Sequence, residues 1–209
     1  MVSLVLATRN PHKVEELTAM LAGLPVEVLS FADFHDMPDV VEDGETLEEN
    51  AVKKAVEVAA HTGLPSLADD TGLEVDALGG EPGVRSARYS GPGANAESNN
   101  EKLLLELSGV PGERRGAAFR CVVALAVPGE KPAVVVGETR GAILERPRGG
   151  AGFGYDPLFL PDGHDRTYAE MSADEKNAVS HRGKAIKSAQ GLVEALCGRD
   201  PGGCGPPDG

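Results

Sequence analysis

Two long apolar runs in the middle of the chain limit its fold most. Residues 117–127 read AAFRCVVALAV, residues 133–140 read AVVVGETR, and only Pro128 to Pro132 separates them. Runs so rich in Val, joined by a short proline-bounded turn, predict two antiparallel strands paired as a hairpin. Gly141 to Leu144 is expected to add a third strand. Upstream, apolar runs alternate with helical patterns. Ser3 to Ala7 predicts a buried strand. Asn10 then suits an N-cap and Pro11 a first helical position, with Val14, Leu17, Leu21 and Leu24 on one side. Val26 to Leu29 predicts a second strand, and residues 31–45 an irregular acidic loop. Thr46-Leu47-Glu48-Glu49 has the capping-box pattern and opens a helix through His61. Another helix is expected within residues 94–108. Ser172-Ala173-Asp174-Glu175 is a second capping box, opening helix that runs to about Cys197; whether Ser180 divides it stays open. Strand, helix, strand, helix, strand and then a hairpin is compatible with an α/β fold.

With 209 residues the chain suits one sizeable domain or two small lobes. Aromatics make up 4% and Trp is absent, so Val, Leu and Ala must build the core. A formal net charge of -13 argues against a nucleic-acid partner, which wants a basic face. An acidic chain that handles phosphates must set local cations against its own field. Cys121, Cys197 and Cys204 form no C-x-x-C, as expected of a reducing compartment. With no signal peptide and no apolar run of spanning length, the expectation is a soluble cytoplasmic protein with no membrane partner. The domain is expected to cover 1–198, with a disordered Pro/Gly-rich tail at 199–209.

The chemistry gathers around residues 66–83, SLADDTGLEVDALGGEPG. Leu67-Ala68 reads as the end of a short buried strand that delivers Asp69 and Asp70 into a turn. Neighbours on an extended segment face opposite ways, so the two acids do different jobs. On its own the stretch reads first as a solvated turn, since Asp, Thr and Gly all suit one. At the first helix N-terminus, Lys13 and free N–H groups can hold phosphate oxygens, although a capped helix with a solvated lysine serves equally. Lys54 lies at the polar boundary of the second helix and could lean toward a cleft, with a solvated face its default. Residues 84–93 read as an exposed functional loop or a dimer contact. Phe153 and Tyr155, set among glycines before Asp156-Pro157, suit either a stacking platform for a flat ring or a plug for the core.

Five segments in order resemble the inosine triphosphate pyrophosphatase family: ATRNPHK at 7–13, ENAVKKA at 49–55, ADDTGL at 68–73, GFGYDP at 152–157 and EKNAVSHR at 175–182. The resemblance runs from Ser3 to Cys197. It implies an elongated α/β structure, a central twisted mixed sheet flanked by helices, with a nucleotide cleft between two lobes. It also implies a homodimer that uses Mg²⁺ to cleave the triphosphates of inosine, deoxyinosine and xanthosine to monophosphate and pyrophosphate. Carried onto this chain, the family's roles give Thr8, Asn10, Lys13 and Lys54 to the phosphates, with Arg9 a further substrate contact. Asp70 becomes the catalytic acid and metal ligand, and Thr71 a substrate contact. Phe153, Gly154, Tyr155 and Asp156 line the nucleoside pocket, and Lys176, His181 and Arg182 read the base. The family's second metal carboxylate falls on Val41, which cannot bind a cation; Glu42 beside it is assigned instead, with Glu45 and Glu48 as further options.

Overall fold

The computed structural model describes residues 1–198; the expected disordered tail lies outside them. In chain order the elements are β1 (Val2–Leu6), α1 (Pro11–Leu21), β2 (Val26–Leu29), α2 (Leu47–Thr62), β3 (Ser66–Val75) and β4 (Pro82–Gly83). They continue with α3 (Ala96–Glu106), β5 (Gly116–Ala126), β6 (Ala133–Ile143), β7 (Phe159–Pro161), α4 (Ala173–Val179) and α5 (His181–Cys197). One seven-stranded sheet runs β2-β1-β3-β5-β6-β7, with β4 added beside β3. β1 is parallel to β2 and β3, and the remaining pairs are antiparallel, so the sheet is mixed and the fold α/β as expected. Among the described residues no helix is long and apolar enough to cross a membrane.

Local chemistry explains the helices. Asn10 caps α1 by accepting from the His12 N–H, with Pro11 in the first turn. Thr46 and Glu49 form the capping box of α2, which ends at Gly63 with φ 69°. Its buried stripe includes Ala51, Ala55 and Ala59, small enough for α2 to lie close on β3 and β5. On the other face α1 and α5 bury Leu17, Leu21, Ile186 and Val193 against Leu4, Leu6 and Leu67 of β1 and β3. Each such aliphatic side chain contributes roughly 1.5–3 kcal/mol on leaving water. A third cluster, with Leu73, Leu103, Phe159 and Tyr168, fills the far end of the sheet. At Gly137 of β6 a Cβ would collide with the backbone of His181 and Ala185, so α5 lies flush on the strand there.

Several expectations are corrected. Asp69 and Asp70 do not end a strand. β3 runs on through Thr71-Gly72 to Val75, held by an unbroken antiparallel register with β5 from Ser66↔Ala126 to Val75↔Ala117. A ten-residue ladder outweighs local turn propensity, and at Gly72 a side chain would meet the Gly83 carbonyl of β4. Gly141 to Ile143 is not a separate strand but the end of β6, with no turn to divide it. Residues 84–93 are not simply exposed: Ser86 and Tyr89 are buried, and Ser86 Oγ accepts from the Leu73 N–H. Ser180 does divide the C-terminal helical region, its side chain capping α5.

Candidate active site

The sheet has a gap. On the edge away from β5, β3 pairs with β1 only at Ser66 and Leu67, and with β4 only at Leu73 and Glu74. Between them, on the side where β1 leads into Thr8–Asn10, the edge of β3 lacks a strand. The Asp69 carbonyl points into this gap, and the ammonium groups of Lys54 (2.8 Å) and Lys13 (3.4 Å) donate to it. Thus two lysines from two helices occupy the place of a missing strand. This is the position at a strand's carboxyl end where open α/β sheets bind ligands.

Alternation along β3 then sends the two acids to opposite faces. Asp69 is fully buried on the α1/α5 side, where its Oδ2 meets Lys13 Nζ at 3.0 Å and Arg182 at 3.2 Å. Burial alone would push its carboxyl up; the Lys13, Arg182 and Lys54 charges outweigh that and hold it well below the usual range. Asp70 faces α2, with Oδ1 3.1 Å from Lys54 Nζ and Oδ2 accepting from Asn50 Nδ2 at 3.4 Å. Here burial wins over Lys54 and Lys13, and with Glu42 nearby the carboxyl lies above its ordinary value. Glu42 Oε1 also takes Lys54 Nζ, at 2.6 Å. Burial would raise Glu42, but Lys54 overrides it and lowers it. Asp70 and Glu42 therefore converge on one cationic point, while Val41 is 64% exposed. Among the described residues no group of three or more His, Cys, Asp or Glu could hold a metal ion.

A cavity of about 640 Å³ opens over the gap, and every residue to which the resemblance gives a site role lines it, whereas Asp69, Glu45 and Glu48 do not. Thr8, Arg9, Asn10, Lys13, Lys54, Asp70, Thr71 and Glu42 line it together with Phe153, Gly154, Tyr155, Asp156, Lys176, His181 and Arg182. Arg182 joins the two groups, donating to Thr71 Oγ1 at 3.2 Å. Arg9 donates to the Met37 carbonyl at 2.8 Å and pairs with Asp39 at 2.7 Å, tying the acidic loop to the start of α1. Of the two aromatics only Phe153 offers a half-open ring; Tyr155 is buried in the core and donates its hydroxyl to the Ser86 carbonyl at 2.9 Å. Lys54 is buried rather than solvated, its charge sustained against burial by Asp70, Asp69 and Glu42.

The cations that the resemblance gives to the base are anchored. Lys176 pairs with Asp156 (2.8 Å) and Glu16 (3.1 Å), and Arg182 with Glu16 (2.6 Å) as well as Asp69. His181 is buried against the rings of Phe119 and Tyr168, which also contact each other, and among the described residues its Nδ1 has no hydrogen-bond partner. Burial, then the neighbouring Arg182 and Lys176, keep its pKa well below the usual value, so the imidazole is neutral and offers one donor and one acceptor. The sequence did not reveal Glu16, which bridges Lys176 and Arg182. Its one available signal is its place three residues after Lys13, on the same side of α1. Ser86 and Asn99 also line the wall; Ser86 lies in the 84–93 stretch read as a functional loop or dimer contact, whereas Asn99 carried no local signal.

A protein of Geobacter sulfurreducens named dITP/XTP pyrophosphatase is 58% identical over 186 residues, covering 89% of this chain and 94% of that one. Another of that name, from Geobacillus kaustophilus, is 49% identical over 198 residues, covering 95% of this chain and 97% of its own. The solved structure of a HAM1 protein from Coxiella burnetii matches with a TM-score of 0.85 at 40% identity, covering 93% of this chain and 100% of that one. With a family model matching residues 4–191, from the first strand to well inside the last helix, the chain belongs to the Ham1 family.

Proposed function

We propose that this chain hydrolyses the triphosphates of deaminated purines, ITP, dITP and XTP, to the nucleoside monophosphate and pyrophosphate. The observation that carries this is one cavity lined both by lysines beside a buried carboxylate and by a half-open aromatic ring with anchored cations. The names of the relatives point the same way.

The phosphate chain lies at the gap in the sheet, against Lys13 and Lys54, with Thr8 and Asn10 at the helix start. Asp70 orients the attacking water and accepts its proton; a carboxyl raised by burial is a better base than an ordinary one. Attack at the α-phosphorus breaks its bond to the bridging oxygen, and pyrophosphate leaves. Asp70 and Glu42 suit Mg²⁺: their oxygens already converge on a cation, and Mg²⁺ takes one or two carboxylates plus substrate phosphates and water. Bound there it supplies a Lewis acid against charge building on the phosphates.

At the other end of the substrate Lys176, Arg182 and the single N–H of His181 donate to the keto oxygen of the base. A 6-amino group would leave a buried donor unpaired, at about 1–3 kcal/mol each. By the family resemblance the working unit is a homodimer in the cytoplasm; light scattering on the purified chain tests the first part. The test of the reaction is a product profile. ITP or dITP with Mg²⁺ should give monophosphate and pyrophosphate, with ATP, which carries the 6-amino group, much poorer and chelation of the metal stopping turnover. Orthophosphate as first product rejects it.

A further inference from the structure

His12 stands in the first turn of α1, between Asn10 and Lys13, and lines the cavity. Its ring lies parallel to that of Phe153, with planes 10° apart and centroids 5.5 Å apart. Its backbone N–H is held by Asn10 Oδ1 at 3.0 Å. Among the described residues the stacking with Phe153 is the only directional contact of the His12 side chain. His12 is exposed at the surface. Phe153 is held more firmly. Its N–H donates to Asp156 Oδ2 at 2.8 Å, and Lys176 and Arg182 lie 4.7 Å and 5.5 Å from its ring centroid. A single stacking contact spans this separation. A flat base between the two rings makes two such contacts, so the rings must part to admit it, and the less held one is His12.

We propose that His12 is the movable jaw of an aromatic clamp that closes on the purine against Phe153. This rests on the nucleotide reading given above and extends it to a residue outside the phosphate and base-reading sets. The parallel planes already have the orientation a sandwiched base requires. The jaw also sits on the turn that takes the phosphates, so the two ends of the substrate meet one short segment. Stacking is indifferent to the groups on the ring edge, so the clamp adds affinity for any purine and leaves the ranking among purines alone.

The experiment compares His12→Ala and His12→Phe with the unaltered chain. KM for dITP and ITP, with kcat, is measured alongside IMP binding by calorimetry and inhibition by inorganic pyrophosphate. A stack on a base is worth a factor of about 5 to 150 in binding. His12→Ala should raise KM and weaken IMP binding by a factor in that range, with kcat and pyrophosphate inhibition little changed. His12→Phe should restore both. An unchanged or lowered KM in His12→Ala overturns the clamp, as does no recovery in His12→Phe. Loss of pyrophosphate inhibition in step with KM also overturns it, because the helix start itself would then be damaged. If the unaltered chain binds no IMP, the nucleotide reading fails and the clamp with it; if it binds IMP and His12→Ala binds equally, the clamp alone fails.

Discussion

Neighbouring acids on one strand give opposite predictions when each is made an amide. Asp69→Asn removes the charge that Lys13 and Arg182 share in a fully buried site. Breaking a buried ion pair from one side costs about 3–5 kcal/mol. For a domain of this size each kcal/mol moves Tm by about 2–4 °C, so Tm should fall by roughly 6–20 °C. The pH dependence has a definite sign. The folded carboxyl lies below its unfolded value of 3.8, so its contribution is complete above that value and is lost as pH falls through the folded one. The gap in Tm between the unaltered chain and Asp69→Asn should therefore be full at neutral pH and narrow only in acid. Asp70 is shifted the other way, so its ionised form is disfavoured by folding. Asp70→Asn should leave Tm at neutral pH unchanged or raise it, while turnover of dITP falls by about 10²–10⁴ for loss of the base. Differential scanning fluorimetry and a pyrophosphate-release assay on both variants decide the matter. An Asp69→Asn chain with unaltered Tm and no turnover, beside an active Asp70→Asn chain, would refute the division of labour.

Lys54→Met leaves Asp70 and Glu42 without their shared cation, so the acid limb of the kcat/KM profile should move to higher pH; an unmoved limb counts against Lys54 as the group that holds Asp70 down. Gly137→Ala forces a methyl group into the backbone of His181 and Ala185, which should cost about 1–3 kcal/mol and raise KM for dITP, as thermal melts and steady-state kinetics can check. Truncation after Gly198 should leave turnover unchanged, because among the described residues none beyond Arg182 lines the cavity; a large loss in the same assay would give the tail a role.

Much of the fold was legible because its signals are local. Asn10-Pro11, the capping boxes at Thr46 and Ser172 and the paired runs of the hairpin each act within a few residues. The Asp69-Asp70 stretch misled because Asp-Thr-Gly favours a turn locally, whereas a ladder to residues some fifty positions away keeps it extended. Lys54 stood at the polar edge of its helix, and only partners on β3 and in the acidic loop bring it inside. Glu16 is the extreme case, since its partner Lys176 is 160 residues distant. The site residues came from motif resemblance, and composition alone would not have chosen them.

The interrupted edge of β3 ties function to durability. Two lysines plug an opening that a peptide strand would otherwise seal, so replacing either one leaves the Asp69 carbonyl with a vacant side. Removing a working charge often makes an enzyme hardier. At Lys13 and Lys54 that bargain is closed: the groups proposed to grip the phosphates also knit the sheet, and a variant disarmed at either position should melt earlier as well.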